Sequence, residues 1–313
     1  GNPAAVQRTA RALRRALEAA KPDYVWANAR MSVPLARLWA QRNARQNGSA
    51  RLIVTHHGLP FGPGFGRTTS TVSRAVEIGF LRRGPQQDIV FLTEEDRAAF
   101  PPAPLAAHRA HVLGNCSDLG GFVPQATAEG PRRLVMLSRD ARQKNLDAAA
   151  RVFAQLPGDM RLDLWGMGTD SADLRARFAA ILPPEALARV GFCGMIADVR
   201  PILAAADMLL ATSRYEGLSI SMIEAMEYGL PVATTQVGGV ALLAQHHPML
   251  AVIDPATPAG CAAAAARIDQ MTAAFRQDRA GQGAAIHAVW AGVFAPEAWE
   301  AQARALFARI CAA

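Results

Sequence analysis

The chain is poor in cysteine, lysine and aromatic residues, and it contains no long apolar run. Its four cysteines, Cys116, Cys193, Cys261 and Cys311, are scattered and form no C-x-x-C pair. That spacing argues against a zinc ribbon or a disulfide scaffold and fits a reducing cytoplasm. The histidines include two adjacent pairs, His56-His57 and His246-His247, but no HExxH and no ligand-spaced cluster, so no protein-held metal is expected. No stretch approaches the roughly eighteen apolar residues of a membrane span. The nearest, 201–213, is interrupted by Asp207. The opening GNPAAVQRTARALRR lacks the apolar core of a secretory signal, and Gly1 in place of an initiator Met points to processing or to a fragment. An aromatic content of 6% leaves few stacking platforms for single-stranded nucleic acid. The sequence Gly166-Met167-Gly168 has Ser171 where a dinucleotide fingerprint needs its third glycine, which excludes NAD binding of that type. A G-x-S-x-G nucleophile elbow is absent as well.

What is present is ample apolar content in a chain too long for one ordinary core. At 313 residues, 51% hydrophobic and 19% charged, two domains are expected. The net charge of +7 is unevenly placed: residues 1–127 hold sixteen Arg or Lys against eight Asp or Glu, and the remainder holds seventeen against eighteen. A basic N-terminal field suits an anionic membrane surface, a phosphorylated acceptor or nucleic acid, while the plainer account is a solvated arginine-rich surface. Residues 4–20 read as a helix with Val6, Ala10, Leu13 and Leu17 on one stripe and Arg8, Arg11, Arg14 and Arg15 elsewhere. Such a helix can lie on a membrane, but packing against a core with a wet outer face is the reading preferred here.

Along the chain, 23–29 and 51–58 read as short buried strands flanking a crossover helix, and the Gly/Pro-rich 59–70 reads as a loop at a strand end. A further strand is expected in 87–100, and another in 111–124 running into an interdomain stretch. From Arg132 a second series begins, with strands in RLVMLS, RLDLWG, RVGFCG, ADMLLATS and LPVATTQ alternating with helices. That alternation predicts a parallel, doubly wound sheet. The tail from Pro296 reads as a helix.

Chemistry concentrates at two strand ends in the second series. In 137–145, LSRDARQKN, Arg139 and Lys144 lie five apart in a polar loop, an arrangement able to clamp a diphosphate from two sides. Lys144 is one of only two lysines in the chain. In 214–235, RYEGLSISMIEAMEYGLPVATT, Glu216 and Glu224 stand eight residues apart across a loop-to-helix junction. Carboxylates there can hold hydroxyls while a phosphate sits on the free N–H groups of the helix start. An ordinary account also exists: Ser221-x-x-Glu224 has the form of a capping box, and Gly229 with Pro231 that of a helix stop.

The string from Glu216 to Glu224 resembles the E-x7-E signature of retaining GT-B glycosyltransferases of family 4. The segment 113–124 resembles that family's linker-proximal pattern, with Cys116 replacing a glycine, and 294–310 resembles its terminal helix. The resemblance implies an α/β fold of two Rossmann-like doubly wound domains. The expected division is 1–125 on the acceptor side, 126–294 binding the nucleotide sugar, and a helix over 295–313 packing back toward the first domain. It further implies transfer of a sugar from a UDP- or GDP-sugar to a hydroxyl acceptor, such as a lipid-linked saccharide, lipopolysaccharide or polysaccharide, with retention and without metal or cofactor. In that frame Arg139 and Lys144 contact the donor phosphates, Glu216 the donor sugar and Glu224 the ribose. Gly217, Leu218 and Ser219 present N–H groups to the distal phosphate, Met195 lies in the backbone that meets the base, and His57 touches the transferred sugar, with His56 the competing choice. The expected setting is cytoplasmic, with peripheral contact to an anionic inner membrane face and no nucleic acid.

Three departures accompany the resemblance. The family's first strand and Gly-rich loop have no counterpart, so some seventy upstream residues are expected to be missing or that loop lost. Ala27-Asn28-Ala29 stands where histidine is frequent, and VALLAQ follows Gly238-Gly239 where an acid is common. The alternative reading is a non-catalytic nucleotide-sugar-binding module or an inactive partner subunit.

Overall fold

The computed structural model describes residues 3–29, 32–46, 50–59, 61–62, 64–123 and 129–312. Gly1 and the expected domain break at 125/126 lie outside the described residues. The chain divides into two compact units, one of residues 1–114 with 303–313 and one of residues 115–302.

In the first unit four strands, β1 (Tyr24–Ala27), β2 (Arg51–His56), β3 (Asp88–Phe91) and β4 (Arg109–Val112), pair in parallel in sequence order. Alternation along a strand sends Val25 and Ala27 into a core with Leu52, Val54 and the helix residues Val33, Ala36 and Trp39. Tyr24 and Trp26 take the other face, where the Trp26 indole donates to Thr55 Oγ1 (2.8 Å) and its ring meets Phe307 of the terminal helix edge-on at 5.2 Å. The sheet's entry end is held by Asp88, a fully buried carboxylate that accepts from Arg109 in bidentate fashion (2.7 and 2.6 Å), from His111 (2.9 Å) and from Arg51 (3.3 Å).

Sequence expectation and structure differ after the Gly-rich loop. Helix Arg67–Arg83 takes over three residues before the predicted loop ends. Its start, RTTSTV, is rich in Thr and Ser, which favour turns in isolation, and packing of Leu81 beside Ile89 and Phe91 overrides that preference. Helix Pro3–Ala20 forms as expected, but none of its residues from Ala4 onward is fully buried; Leu17 rests against the Trp39 cluster.

The second unit is built on six parallel strands: β5 (Arg132–Leu137), β6 (Met160–Trp165), β7 (Val190–Gly194), β8 (Met208–Ala211), β9 (Val232–Thr235) and β10 (Leu250–Ile253). Their order is β10-β9-β8-β5-β6-β7. The chain thus winds outward from β5, returns to its other side at β8 and winds outward again. β10 was not foreseen, because the run HHPMLAVID has little turn punctuation before it. The core joins Leu134 and Met136 of β5 to Phe153, Leu162, Leu164, Phe178 and Ile268, all essentially inaccessible. Each such side chain contributes roughly 1.5–3 kcal/mol relative to exposure. The whole is an α/β fold with two sheets of parallel strands.

Among the described residues no helix is long and apolar enough to cross a membrane.

Candidate functional site

The reversal of strand order between β5 and β8 opens a crevice at their carboxyl ends, the place where open α/β sheets bind ligands. The loop after β5 carries Arg139 and Lys144, and the loop after β8 carries Glu216, Gly217, Leu218 and Ser219. The two loops are hydrogen-bonded to one another. The Arg214 N–H donates to the Gln143 carbonyl (2.7 Å), and the Thr212 hydroxyl to the carbonyls of Lys144 and Asn145 (3.2 and 3.1 Å). Asn145 adopts the left-handed conformation (φ 52°) immediately before helix Leu146–Phe153, turning the first loop toward the second.

Glu216 is the hub. Lys144 Nζ lies 2.7 Å from its Oε1, which also accepts from the Ser213 hydroxyl (2.6 Å), while Gln143 Nε2 donates to Oε2 (3.1 Å). Lys144 and Glu216 are thus brought together as an ion pair, and Gln143 and Ser213, which sequence reasoning did not single out, complete its surroundings. Their only signal was adjacency to the predicted residues. Arg139 is exposed at the same strand end and, among the described residues, its guanidinium has no partner.

Glu224 sits on helix Ile220–Glu227, half-buried, and its carboxylate has no hydrogen-bond partner among the described residues. Burial, reinforced by the nearby Glu227 charge, pushes its carboxyl above the usual range. The capping-box reading is corrected here. The N-cap residue is Ser219, its side chain makes no cap bond, and Ser221 lies one turn-position inside the helix, its hydroxyl 3.1 Å from that of Ser219. Glu224 is therefore too far along the helix to reach back to the cap, and the first N–H groups of the helix are left to other partners.

The turn 217–219 is buried and backed by Gly238 and Gly239. Gly239 has φ 77°, and a Cβ there would stand 2.9 Å from the Gly217 carbonyl oxygen and the Leu218 Cα. Gly166 plays a similar part at the end of β6: with φ 137°, a Cβ would come within 2.3 Å of the Ser138 carbonyl oxygen. That close approach accounts for Gly166 in Gly166-Met167-Gly168. Met195, after β7, is the most exposed large apolar side chain described (74%), and Met167 and Ile196 are exposed near the same strand ends.

In the first unit the two histidines at the end of β2 separate by strand alternation. His57 is exposed, with Nε2 2.6 Å from Asn28 Oδ1, and partial burial lowers its pKa. His56 points the other way, stacked on Phe91 (5.6 Å between ring centres), with its Nε2 left without a hydrogen bond. Burial holds it neutral, its pKa lowered to about 3. A cleft between helix Pro3–Ala20 and helix Ser32–Arg45, floored by Leu17, Leu38 and Trp39, holds none of the candidate site residues. No group of three or more potential metal ligands occurs among the described residues.

This geometry has a match among known proteins. Residues 131–270 match the family model of group 1 glycosyl transferases, and the two parallel sheets match GT-B structures, so the comparisons support the GT-B glycosyltransferase superfamily. Among individual proteins, glycogen synthase of Syntrophotalea carbinolica is 34% identical over 110 residues, 34% of this chain and 22% of that protein. Sucrose-phosphate synthase from Thermosynechococcus elongatus superposes with a TM-score of 0.78 at 20% identity, over 98% of this chain and 78% of that one. Anabaena HepE, solved with UDP and glucose, gives 0.72 at 16% identity, over 97% and 81%. The chain spans less than a third of the length of the curated relatives it matches.

Proposed function

We propose that this chain is a retaining glycosyltransferase of the family 4 type, moving a sugar from a UDP- or GDP-sugar to a hydroxyl acceptor. The observation that carries the reading is the set of groups at the β5/β8 crevice: an exposed Arg139, the Lys144–Glu216 pair, and an unpartnered, half-buried Glu224. Glycogen synthase as a relative, and HepE with UDP and glucose as a fold neighbour, support a nucleotide sugar as the donor.

In this reading the distal phosphate rests on the N–H groups of the turn 217–219, and Arg139 and Lys144 supply the positive charge that the departing diphosphate needs. Lys144 has two further N–H donors besides the one aimed at Glu216, so it can hold phosphate and carboxylate together. Glu216, fixed by Lys144, Ser213 and Gln143, accepts from hydroxyls of the donor sugar, and Glu224 from the ribose. Met195 and its neighbours meet the base. In this reading no side chain acts as a nucleophile. The acceptor hydroxyl attacks the anomeric carbon on the face that the diphosphate leaves, and a departing phosphate oxygen takes its proton. Positioning and charge stabilisation then carry the rate. His57, with Asn28 Oδ1 2.6 Å from its Nε2, is the proposed sugar contact on the family resemblance alone. No cofactor or metal enters, since the arginine and lysine fill that electrostatic role. The basic N-terminal part suits an anionic or lipid-linked acceptor at the inner face of a membrane.

The test is turnover of UDP- and GDP-sugars, with nucleoside diphosphate release followed directly. Transfer or slow hydrolysis is expected, falling by roughly 10²–10³ in Glu216→Ala and Arg139→Ala. Tight nucleotide binding with no turnover of any donor would instead make the chain a nucleotide-sugar-binding module.

A further inference from the structure

The signature helix Ile220–Glu227 is fastened at both ends by one short stretch of chain. Glu227, its last residue, is fully buried, yet its carboxylate is completely engaged. Oε2 accepts from the Ser117 hydroxyl (2.6 Å), and Oε1 from the N–H groups of Leu119 and Gly120 (2.7 Å each). The Tyr228 hydroxyl donates to the Gly120 carbonyl (2.7 Å), and the Trp290 indole to the Ser117 hydroxyl oxygen (2.9 Å). A few residues earlier, Asn115 Nδ2 donates to the Leu218 carbonyl (2.6 Å), at the turn that opens the helix. Eight helical residues rise about 12 Å, and five or six residues at up to about 3.3–3.6 Å each are more than long enough to reach along them. Segment 115–120 is therefore a strap laid along the helix, fixed at its first turn by Asn115 and at its last by Glu227. A buried carboxylate is tolerated only when its lone pairs are filled, and here the strap fills them.

We propose that Glu227 is a positioning residue that, through this strap, aims the turn 217–219 at the distal phosphate of a nucleoside diphosphate. The inference rests on the donor assignment above. The carbonyls of Glu216 and Gly217 are backed by Gly238 and Gly239, and the carbonyl of Leu218 by Asn115, so the peptide planes of the turn are set from two sides. Removing the strap frees one of them. The effect falls chiefly on the distal phosphate, because Asn115 holds the carbonyl of the turn itself, whereas Glu224 sits farther along, within the helix.

The experiment is calorimetric titration of the full chain with UDP and GDP, and with UMP and GMP, in wild type, Glu227→Ala, Glu227→Gln and Asn115→Ala. About a tenfold loss of diphosphate affinity is expected in Glu227→Ala and Asn115→Ala, with monophosphate affinity changed less than twofold. Glu227→Gln restores most of the loss, because the amide oxygen still accepts both N–H groups. The double Ala variant should be no weaker than either single one, since both act through one strap. Asn115, only half-buried, keeps the test open if Glu227→Ala fails to fold. Equal losses for mono- and diphosphate, additive losses, or unchanged affinity in Asn115→Ala overturn the proposal while wild-type diphosphate binding upholds the donor reading. Absence of diphosphate binding in the wild type overturns both.

Discussion

Glu224 is a single side chain held at an energetic disadvantage. Its carboxyl is half-buried, without a partner, and its pKa is raised. A carboxylate whose folded pKa lies above its unfolded value destabilises the fold above that range, and the penalty disappears as pH falls through it. Glu224→Gln should therefore raise the melting temperature at pH 7, by about 2–4 °C if relief reaches 1 kcal/mol, while weakening nucleotide binding. Thermal melts paired with titration check both halves, and a variant that is neither more stable nor weaker in binding contradicts the assignment. Residues such as Glu216 and Lys144 were legible in sequence because each sits in a compact strand-loop-helix word. Glu227 was not: it reads as one more acid on a helix, and its partners lie 107–110 positions away.

At the scale of elements, the turn after β8 depends on backbone proximity as much as on side chains. In Gly239→Ala the left-handed backbone costs about 1–2 kcal/mol before any clash is counted, and the new methyl meets Gly217 and Leu218. A lower denaturation midpoint, with nucleotide affinity reduced further than that of a distant destabilised variant, is the expected outcome. In the sequence Gly238-Gly239 stood out only for the acid missing after it; the structure shows what the turn there presses against. Strand boundaries were readable from apolar runs bounded by Gly and Pro. Helix Arg67–Arg83 and β10 were not, because tertiary burial, rather than local propensity, decides them.

For the whole molecule, each unit carries a buried imidazole that resists protonation: His56, with a pKa of about 3, and His247, with a pKa of about 4. His247 accepts from the Met249 N–H at Nδ1 while Nε2 faces the Leu230 carbonyl, an arrangement that only the neutral ring satisfies. Below about pH 6.5 the unfolded chain binds protons that the native one does not. Stability should therefore fall as pH drops from there, levelling near the folded values, by up to about 1.4 kcal/mol per pH unit for each ring. Urea midpoints measured between pH 7.5 and 4.5 should show the decline, and His56→Phe, which removes the orphaned Nε2 from an aromatic pocket, should make it shallower. The sequence left His56 as the competing choice beside His57; packing against Phe91 and Phe100 buries His56 and leaves His57 exposed.

The scarcity of lysine has a practical consequence. With arginine as nearly every cation, the side-chain amines are two, Lys21, exposed at the end of the first helix, and Lys144, paired with Glu216. An amine-acylating reagent thus finds one open address and one at the crevice. Mass spectrometry of the two peptides should show Lys21 modified alike with or without UDP, and Lys144 shielded in proportion to occupancy. The chain has an inbuilt internal standard for reading its own ligand binding.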